Sequence, residues 1–180
     1  MGVPGFDLSD LLGDQAQQGH TFCAALTARL DEHLAAVFSE AEVPRGVAMV
    51  ALGGYGRSEQ CPGSDLDVAL VHSPGIDMAG IAERVWYPLW DAGLKLGHQV
   101  GTVEQLLEVG LENLEMATSL LSTRRVAGAA DLAADLAERA LSQWRVRSRR
   151  NLNQLRDAVA ARHARFGEVA FLLEPDLKEA

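Results

Sequence analysis

Three glycines followed by two aspartates are the residues of this chain whose types and spacing best suit chemistry on phosphates. Gly53, Gly54 and Gly56 predict a turn, and Asp65 and Asp67 follow Gly54 by eleven and thirteen residues. A glycine turn lets an oxyanion approach main-chain N–H groups closely. Carboxylate oxygens are ligands that magnesium and manganese prefer. The segment therefore predicts a site for a nucleoside triphosphate and its divalent cation.

Polar side chains that follow the glycines extend this predicted site. Arg57 offers a forked cation and Ser58 a hydroxyl for the β- and γ-phosphates. A helix that begins at Tyr55 would add the positive end of its dipole. Ser64 precedes Asp65 and is predicted to orient that carboxylate or to contact a phosphate.

Two apolar runs, 46–52 and 66–71, predict short strands on either side of the turn. Because strand side chains alternate between faces, Asp65 and Asp67 are predicted to lie on one side, roughly 7 Å apart. Cations bound there could activate an attacking oxygen and neutralise the departing pyrophosphate. The alternative is a hairpin-like turn and a capped strand entry without a ligand. Burying unpaired carboxylates is costly, which favours the metal site.

Helices are needed to hold this turn and these strands in place. Residues 20–41 carry apolar side chains at helical spacing, with Asp31 among those predicted to face outward. A second helix is predicted over 76–92, and its aromatic cluster is interpreted as core rather than as a base-stacking surface. Residues 95–102 predict a third strand. The resulting unit is strand, turn, strand, helix and strand.

The remaining segments predict helices. Thr102 and Asn113 are candidate N-caps of short helices, and residues 129–166 lack glycine and proline and predict one or two long helices. The predicted fold class is α/β (α+β), with a small mixed sheet flanked by helices and a C-terminal helical appendage. The predicted divisions of the chain are an N-terminal segment 1–19, a nucleotide-binding core 20–125 and the appendage 126–180.

Composition narrows the class of protein and of partner. With 180 residues, 48% of them hydrophobic, the chain can bury one domain. Its net charge of −9 disfavours nucleic acid as a partner. Cys23 and Cys61 are far apart and lack a CxxC or Cys/His pattern, which predicts neither a disulfide framework nor a zinc site. No secretory leader or apolar run of about 20 residues is present, so we predict a cytoplasmic protein without a membrane partner.

The segment 52–71, LGGYGRSEQCPGSDLDVALV, resembles the nucleotide-binding motif of the DNA polymerase beta-type nucleotidyltransferase superfamily. The longer string is similar to that of the bacterial PII uridylyltransferases. Three later segments resemble these enzymes in the same order, namely 89–100, 113–121 and 172–178. The resemblance covers most of the chain and implies a polymerase beta-like nucleotidyltransferase fold.

The resemblance also implies an activity and roles for the residues named above. It implies transfer of UMP from UTP, or of AMP from ATP, to a hydroxyl of the PII nitrogen-regulatory protein, with release of pyrophosphate. Asp65 and Asp67 would be the catalytic metal ligands for Mg²⁺, with Mn²⁺ as an alternative. Gly53 and Gly54 would belong to the nucleotide turn.

The chain also departs from the family pattern. Residues 94–102 contain no acid where the superfamily has a third carboxylate, so a third metal ligand is unassigned. His98 is the nearest polar residue, and it could contact a metal, a phosphate or the acceptor hydroxyl, or be a structural histidine. Gly101 lies where related enzymes have an arginine.

Length is the largest departure from the family. Full enzymes continue into a phosphohydrolase domain that removes the nucleotide and into domains that sense glutamine, and the chain ends before them. We therefore expect a truncated or stand-alone transferase domain. Two alternatives stay open: a catalytically inactive nucleotide-binding or interaction module of the same fold, and a nucleotidyltransferase of antibiotic or toxin–antitoxin type with a different acceptor.

Overall fold

The structure, a computed structural model, describes residues 18–167 together with Ser9 and Leu11. In chain order its elements are α1 (Gly19–Glu40), β1 (Val47–Ala51), α2 (Gly53–Gly56), β2 (Leu66–His72), α3 (Ala79–Asp91), β3 (Leu96–Gly101), α4 (Val103–Glu112), α5 (Leu114–Leu120), β4 (Arg124–Gly128) and α6 (Ala130–Phe166). Among the described helices, none is both long and apolar enough to cross a bilayer.

The four strands form one mixed sheet in the order β3-β2-β1-β4. β1 is antiparallel to both of its neighbours, whereas β2 and β3 are parallel and place Asp67 opposite Gly97. The mixed sheet flanked by helices confirms the predicted fold class. The three predicted strands are present, and β4 is an addition that the sequence analysis missed because it opens with Arg124 and Arg125 rather than with apolar residues.

Alternation along β2 divides the core into two layers. Val68 and Leu70 lie in the cluster with α1 and α3, whereas Ala69 and Val71 lie in the cluster with α4, α5 and the start of α6. All four side chains are fully buried. Asp67 and Ala69 are two residues apart on β2, so their side chains lie on the same face of the sheet. Asp67 therefore lies on the face covered by α4 and α5.

Helix α1 confirms the predicted apolar stripe but corrects the prediction for one acid. Leu26, Leu30 and Leu34 are buried against the sheet. Asp31, predicted to face outward, instead receives hydrogen bonds from Tyr55 and Arg124. Its partners lie far along the chain, so helical periodicity alone gave no sign of them.

Polar caps fix the two short helices beside β3. The Thr102 hydroxyl accepts from the N–H of Gln105, whose side chain accepts from the N–H of Thr102, so α4 begins with a capping box. Asn113 accepts from the N–H of Met116 and starts α5. Both predicted N-caps are confirmed.

Contacts divide the chain into the units Met1–Leu141 and Ser142–Ala180. The boundary predicted between residues 125 and 126 falls inside β4. In the first unit, Leu136 and Ala140 of α6 belong to the core. The segment 172–178, which contributes to the family resemblance, lies outside the described residues.

Candidate functional site

The glycine turn is one short helical turn, α2, between β1 and the segment that leads to β2. The Leu52 N–H donates to the carbonyl of Asp67 at 2.8 Å and ties the turn to β2. Gly53 has φ +55°, and a Cβ on Gly56 would collide with the carbonyl oxygen of Ser122. A helix that begins at Tyr55, which would have added its dipole to the site, is not present, because α2 spans Gly53–Gly56.

Asp67 projects its carboxylate between two glycines. A Cβ on Gly53 would lie 3.3 Å from Asp67 Oδ2 and 3.5 Å from Ser119 Oγ, and a Cβ on Gly97 would collide with Asp67 Oδ1. Because Gly53 and Gly97 have no side chains, the Asp67 carboxylate fits between them. Asp67 thus lies directly beside the glycine turn, as the strand–turn–strand prediction required.

Asp67 also lines a cavity of about 180 Å³ on this face of the sheet. Ligand pockets commonly have volumes of roughly 300 Å³ or more, so this cavity suits part of a ligand, such as a phosphate group, rather than a whole nucleotide. Its lining comprises Leu52, Asp67, Gly97, His98, Gln99, Asn113, Glu115, Met116 and Ser119.

Glu115 and Ser119 also line this cavity, although neither was a candidate site residue from the sequence. They lie four residues apart on α5, which is the spacing of one helix face. The Asn113 cap predicted the helix, but no sequence signal showed that this face of α5 lies against Asp67. Glu115 brings a second carboxylate to the lining of the cavity.

Asp65 and Ser64 occupy the exposed approach to β2, outside the lining of the Asp67 cavity. Asp65 immediately precedes the strand and shares the parity of Asp67. The buried Gln60 amide donates to the carbonyl oxygens of Ser64 and Asp65 at 3.0 and 3.2 Å. The backbone around Asp65 is therefore anchored by Gln60.

Arg57 lies beside the glycine turn, and its guanidinium forms an ion pair with Glu59. Its Nε is 2.7 Å from Glu59, and its guanidinium approaches Ser122 Oγ at 3.4 Å. A Cβ on Gly54 would lie 3.9 Å from Arg57 Nη2. Exposed ion pairs contribute only about 0–1 kcal/mol, so exchanging Glu59 for a phosphate would cost Arg57 little. Ser58 follows with φ +62°.

A network of polar side chains contacts the main-chain carbonyls of the glycine turn. Arg124 binds both oxygens of Asp31, at 2.6 and 3.1 Å, and donates to the carbonyls of Tyr55 and Gly56 at 3.2 and 3.3 Å. The Tyr55 hydroxyl donates to Asp31 at 2.7 Å. Burial, and then this hydrogen bond, raises the pKa of Tyr55 above its ordinary value. We call Asp31, Tyr55 and Arg124 the turn-support network.

His98 lies on β3 beside Val68, so its side chain projects to the opposite face of the sheet from Asp67. Its ring centroid is 5.5 Å from that of Trp86 and 5.4 Å from that of Trp90. Although His98 borders the cavity, its imidazole packs with the tryptophans of α3. A role of His98 toward a metal, a phosphate or the acceptor hydroxyl stays a prediction.

Replacing Gly97 by alanine should displace the Asp67 carboxylate, because the new methyl group would overlap Oδ1. We expect the free energy of unfolding to fall by about 1–3 kcal/mol. Nucleotide affinity, measured by calorimetry, should fall roughly tenfold or more as the carboxylate moves. Gly80→Ala is the matched control, since Gly80 is exposed and its Cβ would lie 3.8 Å from Arg84 Nη1, an ordinary van der Waals contact. Equal affinity in the two variants would contradict the role given to Gly97.

Comparison with known proteins shows which family the chain belongs to. The family described as "Putative nucleotidyltransferase DUF294" matches residues 10–99, half of the chain. The chain belongs to this nucleotidyltransferase family. The matched range of the nucleotidyltransferase domain includes α1, the glycine turn, both aspartates and most of β3.

Relatives of the nucleotidyltransferase domain confirm the resemblance to uridylyltransferases. A bifunctional uridylyltransferase/uridylyl-removing enzyme of Streptomyces coelicolor is 43% identical over 94% of this chain and 21% of its own length. The protein of the same name from Mycobacterium tuberculosis strain H37Rv is 41% identical over 74% of this chain and 17% of its own. The domain therefore spans about a fifth of the length of these curated relatives.

One solved structure similar to the nucleotidyltransferase domain is described as a toxin-antitoxin with AMP-PNP. The match has a TM-score of 0.47 and 12% sequence identity. It covers 72% of this chain and 98% of the chain in that structure.

Proposed function

We propose that the domain transfers UMP, or alternatively AMP, from a nucleoside triphosphate to a hydroxyl of a PII signalling protein and releases pyrophosphate. Family membership supports nucleotidyl transfer, the names of the relatives support UMP, and the sequence resemblance supports PII. The observation that carries the proposal is the position of Asp67 Oδ2, which is 3.3 Å from where a Cβ on Gly53 would lie. This proximity supports the proposal because a carboxylate suits a divalent cation and a glycine turn suits a phosphate.

We propose Mg²⁺, or Mn²⁺, as the cofactor, held by Asp65 and Asp67. The donors are hard oxygens, and Glu115 adds negative charge to the same cavity lining, which favours a cation beside any phosphate. Over the described ranges, no group of three or more His, Cys, Asp or Glu side chains could hold an ion. Mg²⁺ is compatible with this, because it commonly uses one or two carboxylates and completes its shell with water and phosphate oxygens.

In the proposed reaction, the turn and its neighbours align the triphosphate. Main-chain N–H groups of Gly53 and Gly54 bind phosphate oxygens, while Arg57 exchanges Glu59 for the β- and γ-phosphates. Ser58 and Ser64 donate hydroxyl hydrogen bonds to the phosphates. Asp65 and Asp67 would hold the cation, which when bound would supply charge neutralisation for the departing pyrophosphate. Alignment and electrostatics would account for most of the rate enhancement.

The arginine in this scheme gives a testable prediction. We expect Arg57→Ala to raise the KM for the triphosphate about tenfold, because one charge-assisted phosphate contact is lost. The free energy of unfolding should change by less than about 1 kcal/mol, since Arg57 is half exposed and its ion pair is on the surface. Arg156→Ala, which removes another exposed arginine paired with a neighbouring acid, is the control. A KM that rises equally in both variants would rule out a specific contact by Arg57.

The experiment that tests the proposal is incubation of the chain with a PII protein of its own organism and Mg²⁺, with UTP or ATP. Intact-mass measurement should show PII gaining one UMP, or one AMP if ATP is the donor. A mass gain on another protein but not on PII would keep the transferase and reject the acceptor.

One observation favours the inactive module as a second candidate, namely that the described residues hold no cluster of three potential metal ligands. That candidate predicts that calorimetry detects nucleotide binding while no acceptor gains mass. Transfer to PII that requires Mg²⁺ would exclude it.

A further inference from the structure

Two cysteines that are far apart in the sequence meet in the fold. Cys23 lies on α1 and Cys61 lies between α2 and β2, 38 residues later, and their Sγ atoms are 3.8 Å apart. Their spacing in the sequence gave no sign of this contact. We propose that Cys23 and Cys61 form a redox-active dithiol site, which a low-molecular-weight disulfide oxidises reversibly to an intramolecular disulfide.

The surroundings of the two thiols suit an ordered reaction. Cys61 is exposed, whereas Cys23 is half-buried in its helix. Burial, followed by the hydrogen bond with Cys61, raises the pKa of Cys23. The thiolate of Cys23 is therefore disfavoured, and the exposed Cys61 is the thiol that an incoming disulfide meets first. Cys61 is therefore the thiol that attacks the incoming disulfide, and Cys23 is the thiol that then attacks the mixed disulfide on Cys61.

The chemistry balances with glutathione disulfide as the oxidant. The Cys61 thiolate attacks one sulfur of glutathione disulfide, which forms a mixed disulfide and expels one glutathione thiolate. Cys23 then loses its proton and attacks the Cys61 sulfur, which forms the Cys23–Cys61 bond and expels the second glutathione. Two protein thiols are oxidised, one glutathione disulfide is reduced to two thiols, and the two protons end on glutathione.

The fold leaves room for the movement that this bond requires. A disulfide has an S–S distance of about 2.05 Å, so the two sulfurs must approach by nearly 2 Å. Cys61 lies in a connecting segment rather than in a helix or strand. A cavity of about 250 Å³ lies between that segment and α1, with Leu26 and Leu30 on one wall and Cys61 and Pro62 on another. The segment can therefore move toward α1.

Oxidation would act on the approach to Asp65. Gln60 precedes Cys61, is buried, and holds the carbonyls of Ser64 and Asp65. A bond from Cys61 to α1 would tether residues 57–65 at a second point. This inference concerns thiol chemistry and loop mobility, so it does not depend on the proposed transfer reaction.

Mass analysis of the full chain tests whether the bond forms. After treatment with glutathione disulfide, we expect a monomer about 2 Da lighter than the reduced chain, with one cross-linked peptide that joins Cys23 to Cys61. Dithiothreitol should restore the reduced mass. The Cys23→Ser control should instead retain one glutathione on Cys61. Wild-type protein that ends with glutathione adducts, or as a disulfide-linked dimer, would overturn the proposal.

Hydrogen exchange tests the consequence for the loop. In the oxidised wild type, amides of residues 57–65 should exchange at least severalfold more slowly than in the reduced chain, because a second tether limits local opening. Oxidised Cys23→Ser carries the adduct without the tether and should match its own reduced form. Identical exchange in oxidised and reduced wild type would reject the loop tether even if the disulfide forms.

Discussion

Asp67→Asn should lower the rate of nucleotidyl transfer by about 100- to 1,000-fold while leaving the fold intact. The amide keeps the shape of the side chain between Gly53 and Gly97 but removes the charge that would hold the cation. Asp65→Asn should lower transfer to a similar extent, since the proposed site uses both carboxylates. The measurement is incorporation of labelled nucleotide into the acceptor under single-turnover conditions, with thermal unfolding in parallel.

The matched control for Asp67→Asn is Asp91→Asn, which removes an exposed carboxylate at the end of α3. Helix α3 packs on the opposite face of the sheet from Asp67. Asp91→Asn should keep transfer within about twofold of the wild type, because exposed substitutions away from a site usually have small effects. Undiminished transfer in both Asp65→Asn and Asp67→Asn would refute the proposed metal site.

Arg124→Lys should destabilise the chain and weaken nucleotide binding together. Lysine retains the charge but cannot bind both oxygens of Asp31 and also reach the carbonyls of Tyr55 and Gly56. We expect the free energy of unfolding to fall by about 1–3 kcal/mol, since hydrogen bonds to charged groups are lost at a partly buried position. Nucleotide affinity should fall severalfold, because the carbonyls of the turn lose their support.

Arg125→Lys is the control for Arg124→Lys, because the neighbouring arginine is exposed and donates to the Gly128 carbonyl rather than to the turn. A double-mutant cycle with Asp31→Asn isolates the pair, and we expect a coupling free energy of about 1–2 kcal/mol. Additive effects of Asp31→Asn and Arg124→Lys would mean that the turn-support network does not act as a unit.

Local sequence signals predicted most of the elements around the site. Alternating and continuous apolar runs indicated β1, β2 and β3, the glycines indicated the turn, and the polar caps indicated α4 and α5. These signals succeed because each depends on residues a few positions apart. Alternation along β2 predicted that Asp65 and Asp67 share one side of the strand, and the structure shows that the side with Asp67 is the one away from α1 and α3.

What the sequence could not predict depends on partners that are distant along the chain. Asp31 binds Arg124, which lies 93 residues later on β4. That strand could not be predicted because it begins with two arginines rather than with apolar residues. The contact between Cys23 and Cys61 likewise needs α1 and the loop to pack together. For Glu115, the cap predicted the helix, but only tertiary packing brings that helix face to Asp67.

The central claim is that a divalent cation and a nucleoside triphosphate bind beside Asp67, between the glycine turn and β3. Addition of Mn²⁺ and a non-hydrolysable UTP or ATP analogue to ¹⁵N-labelled chain tests this most directly, because the paramagnetic ion broadens nearby amide signals. We expect selective broadening of Gly53, Gly54 and Gly97, and its loss in Asp67→Asn. Broadening confined to other residues, or unchanged in Asp67→Asn, would contradict the account.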